Sequence, residues 1–398
     1  MIRNNAYQIP SEVVAQVQDI SSPVAAVPIP DFNREVFAIL GLPFDRVSLQ
    51  DAVRITGTAV ERRQRCFLST PNLNFAIACL EDPQFRLSVI QSDLSIADGM
   101  PLIWIARAIG LPINERVAGS SLFQALRLAT LPAGAKPMRV YFFGGPPGVA
   151  QAASEKLNAS ASGMTAVGFD SPGFGSIEQM SDAASIERIN ASGADFLVVA
   201  LGAKKGQAWI QHNLSRLRVP LISHLGAVVN FVAGTVSRAP TWAQKSGLEW
   251  LWRIKEEPKL WRRYWDDGIG LLSLLLQRVI PLALAARRSA PGPAQFDGAL
   301  LQLQEEDGNC ILKLSGALGQ PNIQRLRTLL PAAASAAHPL VLDCTGLEYL
   351  DSAALASLML LYGACHASGR SWTMRGVSQS LRHQLESHCA QYLLASST

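Results

Sequence analysis

At 398 residues, of which 48% are apolar and 17% charged, the chain is long for a single core, so two or more domains with large cores and some apolar surface are expected. A formal net charge of +4 is too small to imply nucleic acid by itself, and the positive residues concentrate between Arg253 and Arg288. Six scattered cysteines with no CxxC pair offer no zinc-type spacing, and their expected state is the buried, reduced thiol.

Residues 1–33 are polar, carry Pro10, Pro23, Pro28 and Pro30, and show no helical or strand period, which reads as a flexible arm. The N-terminus lacks the continuous apolar run of a signal peptide, so a cytoplasmic protein is expected. From Glu35 onward, strand-like runs alternate with amphipathic stretches. The strands are Val36–Ile39, Arg65–Leu68, Leu94–Ala97, Arg139–Phe143, Ala166–Phe169, Phe196–Leu201 and Leu221–His224; Ala150–Leu157 and Gln207–Leu217 are helix-like. Repeated strand–helix alternation predicts an α/β, Rossmann-like, mostly parallel sheet with helices on both faces over residues 34–236.

The stretch Leu87–Leu122 organises this domain. A strand ends in Asp98-Gly99 and feeds a helix opened by Pro101, which puts a carboxylate at the carboxyl end of a strand, where open α/β sheets hold ligands. Asp98 is the first catalytic candidate; its alternative role is to cap the helix, with Gly99 supplying a positive-φ turn. Thr70 and Asn72 follow the strand RCFLS, and either suits a helix cap as well as a ligand. Gly144-Gly145-Pro146-Pro147 follows RVYFF, where bare backbone and a helix start favour a diphosphate, although tight turns use paired glycines without any ligand. Arg116 suits phosphate oxygens or a surface pair with Glu115, and Lys204-Lys205 at a helix start suit a diphosphate or solvent.

Asp98-Gly99 followed by ARxxGxxxxERVxG resembles the WecG/TagA/CpsF family of bacterial glycosyltransferases, and further matches extend the resemblance over about Phe37 to Arg288. The resemblance implies Asp98 as general base and donor contacts from Thr70, Asn72, Gly99, Arg116, Gly119, Gly144, Gly145, Gly202 and Asn230. The family's Gly-x-Pro-x-Gln-Glu-x-Trp element keeps Gly202 and Trp209 here, with Lys204, Gly206 and Gln207 at the other positions. Asn230 stands where an aspartate is frequent, and an amide cannot take a proton. The family is described as metal-independent, no DxD-like pair is seen, and neither a metal nor another cofactor is expected.

Residues 237–288 form a basic, aromatic, membrane-proximal appendage. Five of the eight tryptophans lie between Trp242 and Trp265, interleaved with Arg253, Lys255, Lys259, Arg262 and Arg263. Tryptophan with arginine suits a lipid-linked diphosphate at a bilayer; a plain packing helix and single-stranded nucleic acid are the other readings, and nucleic acid is not expected as a partner. The RAP, GLEW and EPxLWRR elements resemble the family's own appendage, which implies Arg253, Arg262 and Arg263 on the acceptor diphosphate. The apolar run Ile269–Ala286 contains Arg278 and Pro281, so shallow insertion, with Arg287 and Arg288 also near headgroups, is favoured over spanning; burial against protein is the alternative.

Residues 289–296 read as a linker. Beyond it, strands at Cys310–Ser315 and Pro339–Cys344 and a helix at Ala353–Ala367 resemble the STAS domain of anti-sigma-factor antagonists over 297–394. That resemblance makes Ser352 a phosphorylation candidate and implies a kinase or anti-sigma-like protein partner; Asp351-Ser352 as a bare helix cap is the alternative. Taken together, an inverting glycosyltransferase is expected, peripheral on the inner face of the cytoplasmic membrane. It would move N-acetylmannosamine, its uronate or glucose from a UDP-sugar to an undecaprenyl-diphosphate-linked saccharide in surface glycan synthesis. A homo-oligomer is compatible with the apolar appendage, and the rival reading is a catalytically degenerate adaptor that signals through STAS.

Overall fold

The computed structural model describes residues 29–132, 134–160, 163–240, 242–243, 247–288 and 291–395, and the side chains of 160 and 286–288 lie outside that description. Most of the expected N-terminal arm therefore lies outside the described residues. The chain forms two compact units, one built on residues 34–290 and the other on 291–385.

The first unit holds a wholly parallel six-stranded sheet in the order β4-β3-β8-β7-β5-β6, with strands β3 (Cys66–Ser69), β4 (Leu94–Ser95), β5 (Met138–Gly144), β6 (Met164–Asp170), β7 (Phe196–Ala200) and β8 (Leu221–His224). The central strands are apolar throughout because both faces are covered. Val140 and Phe142 of β5, with Phe196 and Val198 of β7, point into one core, and Tyr141, Phe143, Leu197 and Val199 point into the other. The first core is closed by α1 (Leu49–Glu61), α5 (Gly119–Arg127), α6 (Val149–Ser160) and α9 (Gly226–Ala233). The second is closed by α7 (Ala183–Ala191) and α8 (Ala203–Asn213). The remaining helices, α2 (Leu73–Glu81), α3 (Pro83–Ile90) and α4 (Met100–Ala108), lie between β3 and β5 in the chain.

Connections leave β5 toward β6 and β7 toward β8, in opposite directions across the sheet, so a crevice opens between the carboxyl ends of β5 and β7. At that point Gly144 has φ +101°, and a Cβ there would lie 2.7 Å from the Ala200 carbonyl oxygen. Only glycine lets the two strand ends approach this closely.

Val36–Ile39 is a strand but not part of the main sheet. As β1 it pairs antiparallel with β2 (Leu42–Asp45) in a two-stranded ribbon. The turn residues Leu40 and Gly41 both have positive φ, 49° and 78°, as a tight primed hairpin turn requires; a leucine in that conformation is uncommon, so propensity gives no signal for it. The ribbon anchors edge strand β4: buried Asp45 accepts from Ser95 N–H at 2.6 Å and is held by Arg34 through two bonds, 2.9 and 2.6 Å. β4 itself is shorter than Leu94–Ala97: the regular strand ends at Ser95, and single bonds from Ile96 and Asp98 N–H continue beside β3 toward the site.

After α9 the appendage continues as α10 (Glu249–Glu256), α11 (Trp261–Leu274), a π turn over Leu275–Val279, and α12 (Ile280–Arg288). Ile280 N–H donates to Leu275 O within the π turn, and Pro281, which has no N–H for the ladder, sits just beyond it.

The second unit is a four-stranded mixed sheet in the order β12-β11-β10-β9. β10 (Asn309–Leu318) and β11 (Leu340–Leu350) are parallel and join through α13 (Ile323–Ser335); α14 (Ser352–Ala367) and α15 (Gln379–Ser387) complete it. β9 (Leu300–Glu306) and β12 (Trp372–Arg375) were not anticipated, because β9 is an edge strand too polar to read as one and β12 has only four residues. All six cysteines are free and buried.

Trp209 is fully buried, stacks on Phe143 at 4.3 Å and donates its indole N–H to Met180 O at 2.9 Å. Trp209→Ala is expected to lower the unfolding free energy of the first unit by about 3–5 kcal/mol, read from chemical denaturation.

Candidate active site

Asp98 is fixed by its backbone before its side chain is considered. Ile96 N–H donates to Ser69 O at 3.0 Å and Asp98 N–H to Pro71 O at 2.9 Å, which carries the β3–β4 pairing past the strand ends. On the other side Val117 N–H donates to Ala97 O at 3.1 Å and ties the Glu115-Arg116-Val117 segment beside it. Gly99, at φ +158°, starts α4 without a side-chain cap. The Asp98 carboxylate turns instead toward α5, where it accepts from Gly119 N–H at 3.2 Å.

Thr70 and Gly119 close the next layer. A Cβ on Gly119 would collide with the end of the Leu225 side chain and lie 3.1 Å from Thr70 Cγ2, so a larger residue there would make Leu225 shift. Asn72 caps α2, accepting from Phe75 N–H at 3.0 Å, and lies against Gly99. Thr70, Asn72, Asp98, Gly99, Arg116 and Gly119 are therefore brought together at the carboxyl ends of β3 and β4.

Arg116 is not a surface partner of Glu115, whose carboxylate accepts from Leu49 N–H at 3.1 Å. Its Nη2 lies 3.5 Å from Asp98 Oδ1 and 2.5 Å from Glu249 Oε2. Glu249 opens α10, so the appendage reaches the candidate base through an acidic residue that sequence reasoning passed over. The usable signal was the GLEW element itself: one carboxylate opening a helix otherwise rich in arginine, lysine and tryptophan. Burial raises the Asp98 pKa above the ordinary aspartate range; Arg116 opposes the rise and Glu249 adds to it. Arg238, from the RAP element, joins the group: burial lowers its pKa, and its Nη2 donates to Ser121 Oγ at 2.8 Å.

Gly144, Gly145 and Gly202 gather separately at the β5/β7 crevice, with φ of +101°, +84° and +80°. β5 is three strand spacings from β3, about 14 Å along the same sheet edge. The lysines expected to assist a diphosphate are engaged elsewhere, Lys204 with Asp82 and Lys205 with Gly175 O. The departure at Gly206 has a packing cause: a Cβ there would collide with the buried His224 imidazole, whose pKa burial lowers to about 4. Gln207 is buried and donates to Ser69 Oγ at 3.0 Å beneath Thr70.

Of the appendage arginines, Arg253 lies over the Phe231 ring at 5.1 Å, next to Asn230, and Arg262 over Trp261 at 5.6 Å. Arg263 is 3.9 Å from Asp267, whose carboxylate accepts from Asn74 at 2.8 Å and so pins α11 to α2. None of the three makes a salt bridge to Asp98 or Glu249 among the described residues. Among the described residues no group of three His, Cys, Asp or Glu side chains is placed to hold a metal ion. In the second unit Asp351 caps α14, accepting from Ala353 and Ala354 N–H at 2.8 and 2.9 Å, and Ser352 is buried at the helix start.

A carboxylate whose pKa is raised on folding destabilises the folded protein wherever it is ionised. Asp98→Asn is therefore expected to melt higher than wild type at pH 7–8. The gap should narrow as pH falls through the raised folded-state pKa and close below the ordinary aspartate range, about 4, where the unfolded chain also takes up the proton. Thermal melts across that range measure it.

The profile described as "Glycosyl transferase WecG/TagA/CpsF family" matches residues 37–283, and that described as "Mlab, STAS domain" matches 301–388. An N-acetylglucosaminyldiphosphoundecaprenol N-acetyl-beta-D-mannosaminyltransferase from Bacillus spizizenii is 26% identical over 206 residues, 52% of this chain and 77% of the relative. Its counterpart from Bacillus subtilis is 26% identical over 205 residues, 51% of this chain and 77% of its own length. The first match takes in β1, the sheet, the Asp98 cluster and nearly all of the appendage, more than half of the chain; the protein belongs to the WecG/TagA/CpsF family of glycosyltransferases and carries a C-terminal STAS domain.

Proposed function

We propose that the protein is an inverting glycosyltransferase with Asp98 as general base, moving a sugar from a UDP-sugar to a polyprenyl-diphosphate-linked saccharide at the membrane surface. The observation that carries this reading is the Asp98 carboxylate itself: at a strand's carboxyl end, one-quarter exposed, fixed on both backbone sides and raised in pKa by burial. Such a group takes a proton more readily than an ordinary aspartate. The acceptor hydroxyl oxygen bonds to the anomeric carbon as the bond from that carbon to the UDP oxygen breaks. UDP leaves with the electron pair, and the hydroxyl proton passes to Asp98. The donor diphosphate lies along the backbone of Gly144, Gly145 and Gly202, with Thr70, Asn72, Gly99, Gly119 and Asn230 completing its site. Arg116 neutralises charge on the leaving group.

The relatives' names support N-acetylmannosamine as the sugar and a diphosphoundecaprenol-linked N-acetylglucosamine as the acceptor. Arg253, Arg262 and Arg263 are assigned to the acceptor's diphosphate. Membrane attachment is supported by an exposed stripe along the appendage: Trp261, Trp265, Ile269, Leu272, Leu276, Ile280 and Leu284 are each 44–65% exposed. The helix Pro258–Ala285, at 28 residues, is long and apolar enough to cross a bilayer. Its attachment to α2 through Asp267 and the charges of Arg262, Arg263 and Arg278 favour lying in the interface on the inner leaflet. The STAS unit is assigned a protein partner; the burial of Ser352 means that a kinase needs the α14 start to open first.

With UDP-N-acetylmannosamine and a short-chain polyprenyl-diphosphate N-acetylglucosamine, acceptor-dependent UDP release is expected, and Asp98→Asn should lower kcat about 10²–10⁴-fold. Nucleotide-sugar binding without turnover across a donor panel would favour the adaptor reading. Replacing Leu272 and Leu276 together by aspartate should reduce sedimentation with anionic liposomes about tenfold or more, with UDP binding unchanged.

A further inference from the structure

Glu249 is the first residue of α10 and stands 133 residues from Arg116 in the chain, yet the two share the shortest contact in the Asp98 cluster. Arg116 Nη2 is divided unequally, 2.5 Å from Glu249 and 3.5 Å from Asp98, and the three side chains are only 15–25% exposed. The charged groups facing Asp98 are Arg116 from the loop before α5, Glu249 from α10 and Arg238 from the segment after α9; the Gly119 N–H of α5 adds a neutral donor. Arg238 has a buried Nε without a hydrogen-bond partner. Two carboxylates and two guanidinium groups leave this cluster neutral.

An arginine paired with a buried aspartate alone stabilises the carboxylate and makes it a weak base. Glu249 changes that balance by drawing the guanidinium toward the appendage. We propose that Glu249 is a positioning residue of the transfer reaction: it holds Arg116 away from a close ion pair with Asp98, so that seating of the appendage sets the basicity of the catalytic carboxylate. This rests on the reading of Asp98 as the base. It also gives the appendage a task beyond gripping lipid, since a displaced α10 leaves Arg116 to Asp98 and lowers the reactivity of a site away from its acceptor.

Two measurements on the full chain test it. The first is the pH dependence of kcat/KM with UDP-N-acetylmannosamine and the short-chain acceptor, for wild type, Glu249→Gln and Glu249→Asp. Glu249→Gln should shift the acid limb to lower pH and cut kcat about tenfold or more with donor KM nearly unchanged, and Glu249→Asp should recover part of both. A loss of activity with an unmoved acid limb, or wild-type kinetics in Glu249→Gln, overturns the proposal. The second needs no substrate: the gap in melting temperature at pH 7.5 between Asp98→Asn and its parent should shrink when the parent carries Glu249→Gln, and an unchanged gap overturns the proposal. Full turnover by Asp98→Asn would instead remove the base itself, an outcome distinct from an unmoved acid limb in Glu249→Gln. Should Glu249→Gln fail to fold, Glu249→Asp carries both measurements, with smaller shifts in the same directions.

Discussion

A carboxylate taken out of water must be balanced by charge or take up a proton, and the Asp98 cluster meets that constraint with partners from three separate stretches of chain. Arg116 arrives on the loop before α5, Glu249 on α10, Arg238 just after α9, and the Gly119 N–H at the start of α5. All of them meet Asp98 at the point where β3 lies beside β4. The sheet depends in turn on the β1–β2 ribbon, because edge strand β4 is only two residues long and Asp45 supplies the bond to Ser95 N–H that another strand would otherwise provide. The pair formed by Asp45 and Arg34 therefore lies structurally upstream of the chemistry, although it touches no part of the site.

Labour is divided along the carboxyl edge of the sheet. The β5/β7 crevice is built from backbone, with three glycines in conformations that other residues avoid, and suits a ligand recognised by its phosphates. The β3/β4 end is built from side chains whose charges oppose one another, and suits the step in which a proton moves. Because this chain's own Glu249 reaches its own Arg116, the appendage meets the site within one molecule, and a neighbouring copy is not needed to bring a carboxylate to Arg116.

The alternation of β3 to β8 with their helices was legible because buried parallel strands such as FLVVA read as apolar runs, and the end of each run marked a site loop. Asp98, Thr70 and Asn72 could be gathered because they lie just after two such strands, whereas Arg116 and Gly119, beyond α4, were gathered through the resemblance of the ERVxG element. β2 could not be read, since its turn places a leucine at positive φ against propensity. Glu249 was hidden for a different reason: a basic, tryptophan-rich helix draws attention to its arginines, while the contact that matters spans 133 residues of chain. The substitutions at Gly206 and Gln207 look like lost ligands in the text, and only packing shows one making room for His224 and the other bonding beneath Thr70. The lysines of α8 fit a diphosphate or solvent equally in the text, and in the structure Lys204 pairs with Asp82 and Lys205 donates to Gly175 O.

The π turn over Leu275–Val279 has a consequence for the whole length of the appendage. In an unbroken α-helix, at about 100° per residue, Leu284 would be rotated about 140° from Trp261, and the exposed apolar residues would wind around the axis. One extra residue taken up in the π turn removes about 100° of that drift, so Leu284 returns to within about 40° of Trp261. Trp261, Trp265, Ile269, Leu272, Leu276, Ile280 and Leu284 then form one straight keel about 33 Å long. The irregularity beside Pro281 thus acts as a phase corrector, letting a proline-containing helix present a single flat side to a flat surface.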